Sequence, residues 1–207
     1  MIKESFLLCG GKGKRFGFDK RFLEIEGIPL YLYQIQKLLP FFQKVTLLCK
    51  SGEEILFKNL KIPIIEEKES DSSLLCGLIT GLSNLEEDRA LFLSVDMPLL
   101  PLSAIKFFKD YPSTNRPVVP FTEGKIHSGF SIFPKEVLSD LLFFKSKGFF
   151  SFKKIFPALN TIFLKEGDLP FLNETKDAFC NINLYKDFLF LQKNHSELKL
   201  RIPINEK

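Results

Sequence analysis

Four short segments of the chain are almost continuously apolar: 5–9 (SFLLC), 44–49 (KVTLLC), 62–66 (IPIIE) and 90–95 (ALFLSV). Runs of this length with little polar alternation fit strands buried on both faces of a mostly parallel sheet. Helix candidates lie between them, at about 29–39, with Pro29 in a favourable first-turn position, at about 53–59 and at about 74–84. This strand–helix alternation predicts an α/β fold: a single-domain, Rossmann-like, doubly wound sheet with helices on both faces.

The regularity weakens after Pro101. Ser103 is placed to cap a helix running to Lys109. RPVVPF and HSGFSIF read as two further strands, PKEVLSDLLFFK as a helix, NTIFL as a strand and YKDFLFLQKN as a last helix. The stretch 195–207 is polar and reads as a loosely held C-terminal tail.

Composition narrows the class. At 207 residues, 45% hydrophobic and 26% charged, the chain has material for one compact domain. Its 24 Phe are spread along the sequence and read mostly as core filling with a compositional bias. A net charge of +4 suits an anionic small molecule but, without a dense basic run, argues against nucleic acid. The four cysteines are far apart with no CxxC spacing, which points away from zinc and disulfides and toward a reducing, cytoplasmic setting. No segment reaches the roughly 20 apolar residues of a membrane span.

The densest chemistry follows the first strand, in LLCGGKGKRFGFDK (7–20). Gly10, Gly11 and Gly13 let backbone N–H groups approach a phosphate at the carboxyl end of a strand, where open α/β sheets bind ligands. Lys12, Lys14, Arg15 and Lys20 add positive charge, Arg as a planar fork and Lys as a point charge. The spacing is neither a Walker A loop nor GxGxxG, because Gly11, Gly13 and Gly17 are one residue too widely set. A solvated turn is the competing reading.

In FLSVDMPLLP (92–101), Asp96 emerges from the end of an apolar strand. It is suited to holding Mg²⁺ on a triphosphate, or to capping the turn at Pro98. Asn181 and Asn183 in AFCNINLYKDF are one residue apart; they orient a polar substrate, or Asn183 caps the last helix. His127, at a strand start, is read as structural or as facing a substrate.

CGGKGKRFGFDK followed by FLEIEGIPL resembles the signature of nucleotidyltransferases that activate small molecules with a nucleoside triphosphate: a glycine pair, a basic segment, Arg, Lys, then Gly-x-Pro-Leu. With Asp-Lys after the glycine, it is most similar to the molybdenum cofactor guanylyltransferases. VDMP and NIN follow in that family's order, so the resemblance spans about 5–188. SLLCGL (73–78) departs from it, with Ser73 and Leu74 where the family has Gly-Pro.

The resemblance implies one nucleotidyltransferase domain over 1–194, with a nucleotide-binding half to about 100 and an acceptor half from about 101. It implies GTP as donor, molybdenum-bound molybdopterin as acceptor, Mg²⁺ as cofactor, and transient contact with proteins that deliver or accept the product. Residue by residue, it implies catalytic roles for Arg15, Lys20 and Asp96. Nucleotide contacts fall to Leu8, Cys9, Gly10, Gly11, Gly13, Lys20, Glu67 and Asp96. Glu67 stands where the family has Asp near the guanine. Asn181 and Asn183 are implied at the acceptor, and Asp96 at the metal. A cytidylyltransferase for molybdopterin or another phosphorylated acceptor is the alternative within the same chemistry. From another class, a non-catalytic nucleotide-binding module would use the Phe-rich 141–152 as a docking patch.

Overall fold

The computed structural model describes residues 1–10, 17–67 and 73–203. Its strands are β1 (Glu4–Leu8), β2 (Glu24–Ile25), β3 (Ile28–Pro29), β4 (Lys44–Lys50), β5 (Ile64–Glu67), β6 (Arg89–Ser94), β7 (Val118–Thr122), β8 (Lys125–Ile126), β9 (Phe130–Pro134) and β10 (Ile162–Leu164). Its helices are α1 (Leu30–Leu38), α2 (Leu74–Ser83), α3 (Leu102–Lys109), α4 (Leu138–Ser146), α5 (Phe152–Ala158) and α6 (Tyr185–Asn194). The main sheet runs β10-β7-β9-β6-β1-β4-β5, with β8 added to β7.

β1 is the hub. It pairs in parallel with β4 on one side (Phe6 opposite Thr46) and with β6 on the other (Phe6 opposite Phe92). The chain leaves β1 toward β4 and β5, then returns across it to β6. The order therefore reverses between β1 and β6, and a crevice opens at their carboxyl ends. β9 runs antiparallel to both β6 and β7, so this side of the sheet is mixed rather than parallel.

Successive side chains of a strand face opposite sides, which explains why β1 is buried throughout. Leu7, Leu47, Leu91 and Leu93 join one core with Ile35 of α1, Ile105 of α3 and Leu191 of α6. Phe6, Leu8, Leu48 and Phe92 join a second core with Leu78 of α2, Leu141 of α4 and Phe156 of α5. These are the two covered faces that the continuous apolar runs predict.

Several expectations are corrected. The helix expected at 53–59 is a single 3-10 turn, Glu54–Phe57; only Phe57 is buried while Ile55 and Leu56 face outward, so no apolar stripe sustains a longer helix. α3 begins at Leu102 after Pro101, and the Ser103 hydroxyl donates to Glu174 (2.7 Å) instead of capping. The two-residue β2–β3 hairpin, turning through Glu26 (φ 53°) and Gly27 (φ 83°), was not foreseen, nor was α5, with Pro157 in its last turn. The tail is not loose as far as it is described: Arg201 exchanges backbone hydrogen bonds with Glu24 (2.9 Å each way) and Leu200 is buried. Most Phe fill the two cores as expected, while Phe143, Phe149 and Phe150 of the Phe-rich 141–152 segment are exposed. No helix among the described residues is long and apolar enough to cross a membrane.

Candidate active site

Lys20 opens a 3-10 turn (Lys20–Phe22) whose N-cap is Asp19, the carboxylate accepting the Arg21 N–H. Its ammonium is nearly buried and donates to Asp96 Oδ2 at 2.6 Å and to Asn183 Oδ1 at 2.9 Å. Residues 20, 96 and 183, read from three separate motifs, thus meet in one hydrogen-bonded group. Two of the three ammonium donors are used among the described residues, which leaves one for a ligand oxygen.

The strand order carries Asp96 there. Just beyond β6, Val95 still donates to Leu8 O of β1 (3.1 Å), so the two strand ends leave the sheet together. The next turn is gripped from α1. Gln34, wholly buried, donates to Met97 O at 2.8 Å, and Lys37 donates to the carbonyls of Pro98 (3.3 Å) and Leu100. Burial pushes the Lys37 ammonium down to about 7. From the other side, Ile182 N–H donates to Asp96 O (2.9 Å), seating the NIN segment on the same turn. Asn183 does not cap α6. Asp187 Oδ2 accepts the N–H groups of Asn183 (2.9 Å) and Leu184 (2.7 Å), which leaves the Asn183 amide to face Lys20.

The strand-end residues are ordered by a second, unforeseen cluster. Arg21 is fully buried, bonded to Asp19 (2.5–3.1 Å), to Glu53 (2.5 and 3.2 Å) and to the Cys9 carbonyl (3.1 Å), with the rings of Phe57 and Phe22 about it. Burial opposes its charge, but the two carboxylates outweigh that and hold it firmly protonated. A charged triplet in one loop and a glutamate more than thirty positions later carry no local signal of such a pairing.

Leu8 is buried against α2, Cys9 is buried with its N–H on Leu48 O (2.8 Å), and Gly10 follows at the crevice. Glu67, at the end of β5, is buried beside them: a Cβ at Gly10 would stand 3.2 Å, and one at Gly77 3.3 Å, from its Oε1. Desolvation pushes this carboxyl up to about 7, with Lys50 opposing. Asn181 lines an open cleft beside the β7–β8 hairpin, together with His127. Arg15, Gly11 and Gly13 lie outside the described residues.

One observation bears on a metal. Asp96 Oδ1 is buried with no hydrogen-bond partner among the described residues, and these hold no cluster of three or more His, Cys, Asp or Glu able to bind an ion. A lone carboxylate fits Mg²⁺, which takes most of its ligands from phosphate and water, better than it fits an ion caged by protein.

The chain is 25% identical over 186 residues to a probable molybdenum cofactor guanylyltransferase of Aquifex aeolicus, covering 90% of this chain and 88% of the relative. It is 23% identical over 184 residues to the molybdenum cofactor guanylyltransferase of Syntrophotalea carbinolica, covering 88% and 87%. The fold matches the crystal structure of molybdopterin-guanine dinucleotide biosynthesis protein A from Archaeoglobus fulgidus with a TM-score of 0.82 at 17% identity, over 94% of this chain and 99% of that one. The family profile described as a MobA-like NTP transferase domain matches residues 5–160, three-quarters of the chain, and so the chain belongs to that family and is an enzyme of the nucleotidyltransferase class.

Proposed function

We propose that the enzyme transfers GMP from GTP to the terminal phosphate of molybdopterin, in its molybdenum-bound form, with Mg²⁺ as cofactor. The observation that carries this reading is the single ammonium of Lys20 shared by Asp96 and Asn183, which ties the nucleotide-half and acceptor-half motifs into one site. The names of the relatives supply the base and the acceptor.

In this reaction an oxygen of the acceptor phosphate attacks the α-phosphorus of GTP. The new P–O bond forms as the bond to the oxygen bridging the β-phosphorus breaks, and pyrophosphate leaves with that electron pair. The nucleophile is already an anion, so no side chain need remove a proton. The work left to the protein is alignment and charge neutralisation. Lys20, with Arg15 and the N–H groups of Gly10, Gly11 and Gly13, holds the triphosphate, and Leu8 and Cys9 bring the backbone to it. Glu67 faces the guanine edge as an acceptor for its N–H groups. Asn183 and Asn181 orient the incoming phosphate. Asp96 would hold Mg²⁺ through its unpartnered oxygen, and the ion, when bound, supplies neutralising charge across phosphate oxygens.

A thermal-shift panel of nucleotides with Mg²⁺ tests the donor, because stabilisation follows RT ln(1 + [L]/Kd). GTP is expected to raise Tm more than CTP, and pyrophosphate is expected to appear only when acceptor is added. A larger shift with CTP would replace the base assignment. Nucleotide binding with no pyrophosphate release in the presence of acceptor would make the protein a different transferase.

A further inference from the structure

The chain's positive charge is concentrated in one stretch. Between Asp140 and Glu166 the sequence has five lysines, Lys145, Lys147, Lys153, Lys154 and Lys165, with no acid and no arginine. Of the 29 basic side chains, these five set aside leave 24 against 25 acids, a net charge of −1. The whole excess of +4 therefore resides in this segment.

The same segment carries exposed aromatic surface. Only Leu141 of α4 is buried, and Leu142 and Phe143 face outward. The chain then turns through Gly148 (φ 72°) into Phe149 and Phe150, and every position from Ser146 to Ser151 is exposed. Lys147 stands over the Phe143 ring and Lys154 over the Phe149 ring, 5.7 and 5.9 Å from the centroids. Their aliphatic stems shield apolar rings while the ammonium groups stay in water. Lys147, Lys153 and Lys154 are exposed and form no ion pair among the described residues. The α4–α5 turn is thus a tip of neighbouring phenyl rings ringed by uncompensated cations.

Composition selects the kind of partner. Protein interfaces are depleted in lysine and enriched in Arg, Tyr, Trp and Met beside Phe. Residues 141–165 contain none of those four. Nucleic-acid recognition likewise favours the guanidinium fork of arginine over the point charge of lysine. Lysines flanking exposed Phe and Leu instead suit a lipid interface, where rings reach the acyl boundary and ammonium groups stay with the headgroup phosphates.

We propose that the α4–α5 turn is a peripheral docking surface for an anionic bilayer: Phe149 and Phe150, with Leu142 and Phe143 beside them, enter the lipid interface while Lys147, Lys153 and Lys154 meet the phosphates. None of these residues belongs to the group around Lys20 and Asp96, so docking is independent of which nucleotide the crevice takes.

The test is flotation of the full chain with vesicles of phosphatidylcholine alone, or of phosphatidylcholine and phosphatidylglycerol in equal parts. The chain is expected to float only with the anionic vesicles and to be released as salt rises. The double variant Lys147→Gln/Lys154→Gln should bind about 30-fold more weakly. Phe149→Ser/Phe150→Ser should lose at least about 10-fold. Both variants should melt with the wild-type protein, which separates lost docking from lost fold. Because the chain has no Trp, Phe149→Trp provides a single reporter. Its emission should move to the blue on anionic vesicles and be quenched by brominated acyl chains. No flotation with anionic vesicles, unchanged affinity in either double variant, or Trp emission that stays at its value in water overturns the docking surface. So does polyglutamate binding the chain as tightly as the vesicles do, an outcome that assigns the patch to an acidic protein.

Discussion

The two halves of this molecule handle charge in opposite ways. At the carboxyl ends of β1, β4, β5 and β6, charged groups are buried and paired: Arg21 with Asp19 and Glu53, and Lys20 with Asp96. In the part of the chain after β6, lysines and aromatic rings stand at the surface, as at Phe143 beneath Lys147 and around the open cleft. The first arrangement suits a ligand part that never varies, a triphosphate, for which prearranged charge in a water-poor crevice does the most. The second suits recognition by shape and stacking, where an open pocket and solvated cations serve. One chain carries a half with buried, paired charges and a half with exposed charges around an open cleft.

The comparison breaks first at Arg21. Arg21→Met leaves two carboxylates facing each other without their cation and should cost about 3–5 kcal/mol in urea unfolding; a loss under about 1 kcal/mol would mean that the buried cluster is not what orders the strand ends. Next comes Lys20→Ala. This variant should keep its fold but lose about 10²–10³ in guanylyl transfer, with Asp96→Asn losing both activity and the dependence on Mg²⁺. Normal turnover in either variant removes that residue from the chemistry.

Glu67 sharpens the contrast further. Its carboxyl is raised from an ordinary 4.5 to about 7 by burial, so between these pH values the unfolded chain has released a proton that the folded chain retains. Stability should therefore fall as pH rises through that window, and Glu67→Gln should flatten the slope in a pH series of melts. The smallest effect belongs to the acceptor surface: Phe143→Ser, at an exposed ring, should shift stability by less than about 0.5 kcal/mol and leave GTP binding unchanged.

Legibility along the chain follows the same division. Strands β1, β4 and β6 were readable because a strand covered on both faces must be apolar at nearly every position, and that is a local pattern. α5 and the β2–β3 hairpin were not. Helix α5 carries a proline, and the hairpin is only four strand and turn-flanking residues long, so neither builds a period that can be counted. At the site, Lys20, Asp96 and Asn183 were named from separate motifs, and the structure shows Asp96 and Asn183 both accepting from the Lys20 ammonium. Gln34 and Lys37 were missed because their partners are backbone carbonyls about sixty positions away, and Arg21 because its second carboxylate, Glu53, is distant in sequence although Asp19 is not. Asn183 was open to reading as a cap because the competitor for that task, Asp187, is a tertiary-neutral choice until the turn is built.

By itself, the order of residues determined the α/β class, the apolar strands and the glycine-basic segment after the first of them, since each depends on neighbours a few positions apart. What only the folded chain decided is that positions 20, 96 and 183 share one ammonium, and that His127 finds Phe179 at the wall of a cleft. The reason is physical: which strand lies beside β1, and therefore which loop ends meet at its tip, is settled by packing two cores on two faces at once, and no local pattern records that outcome.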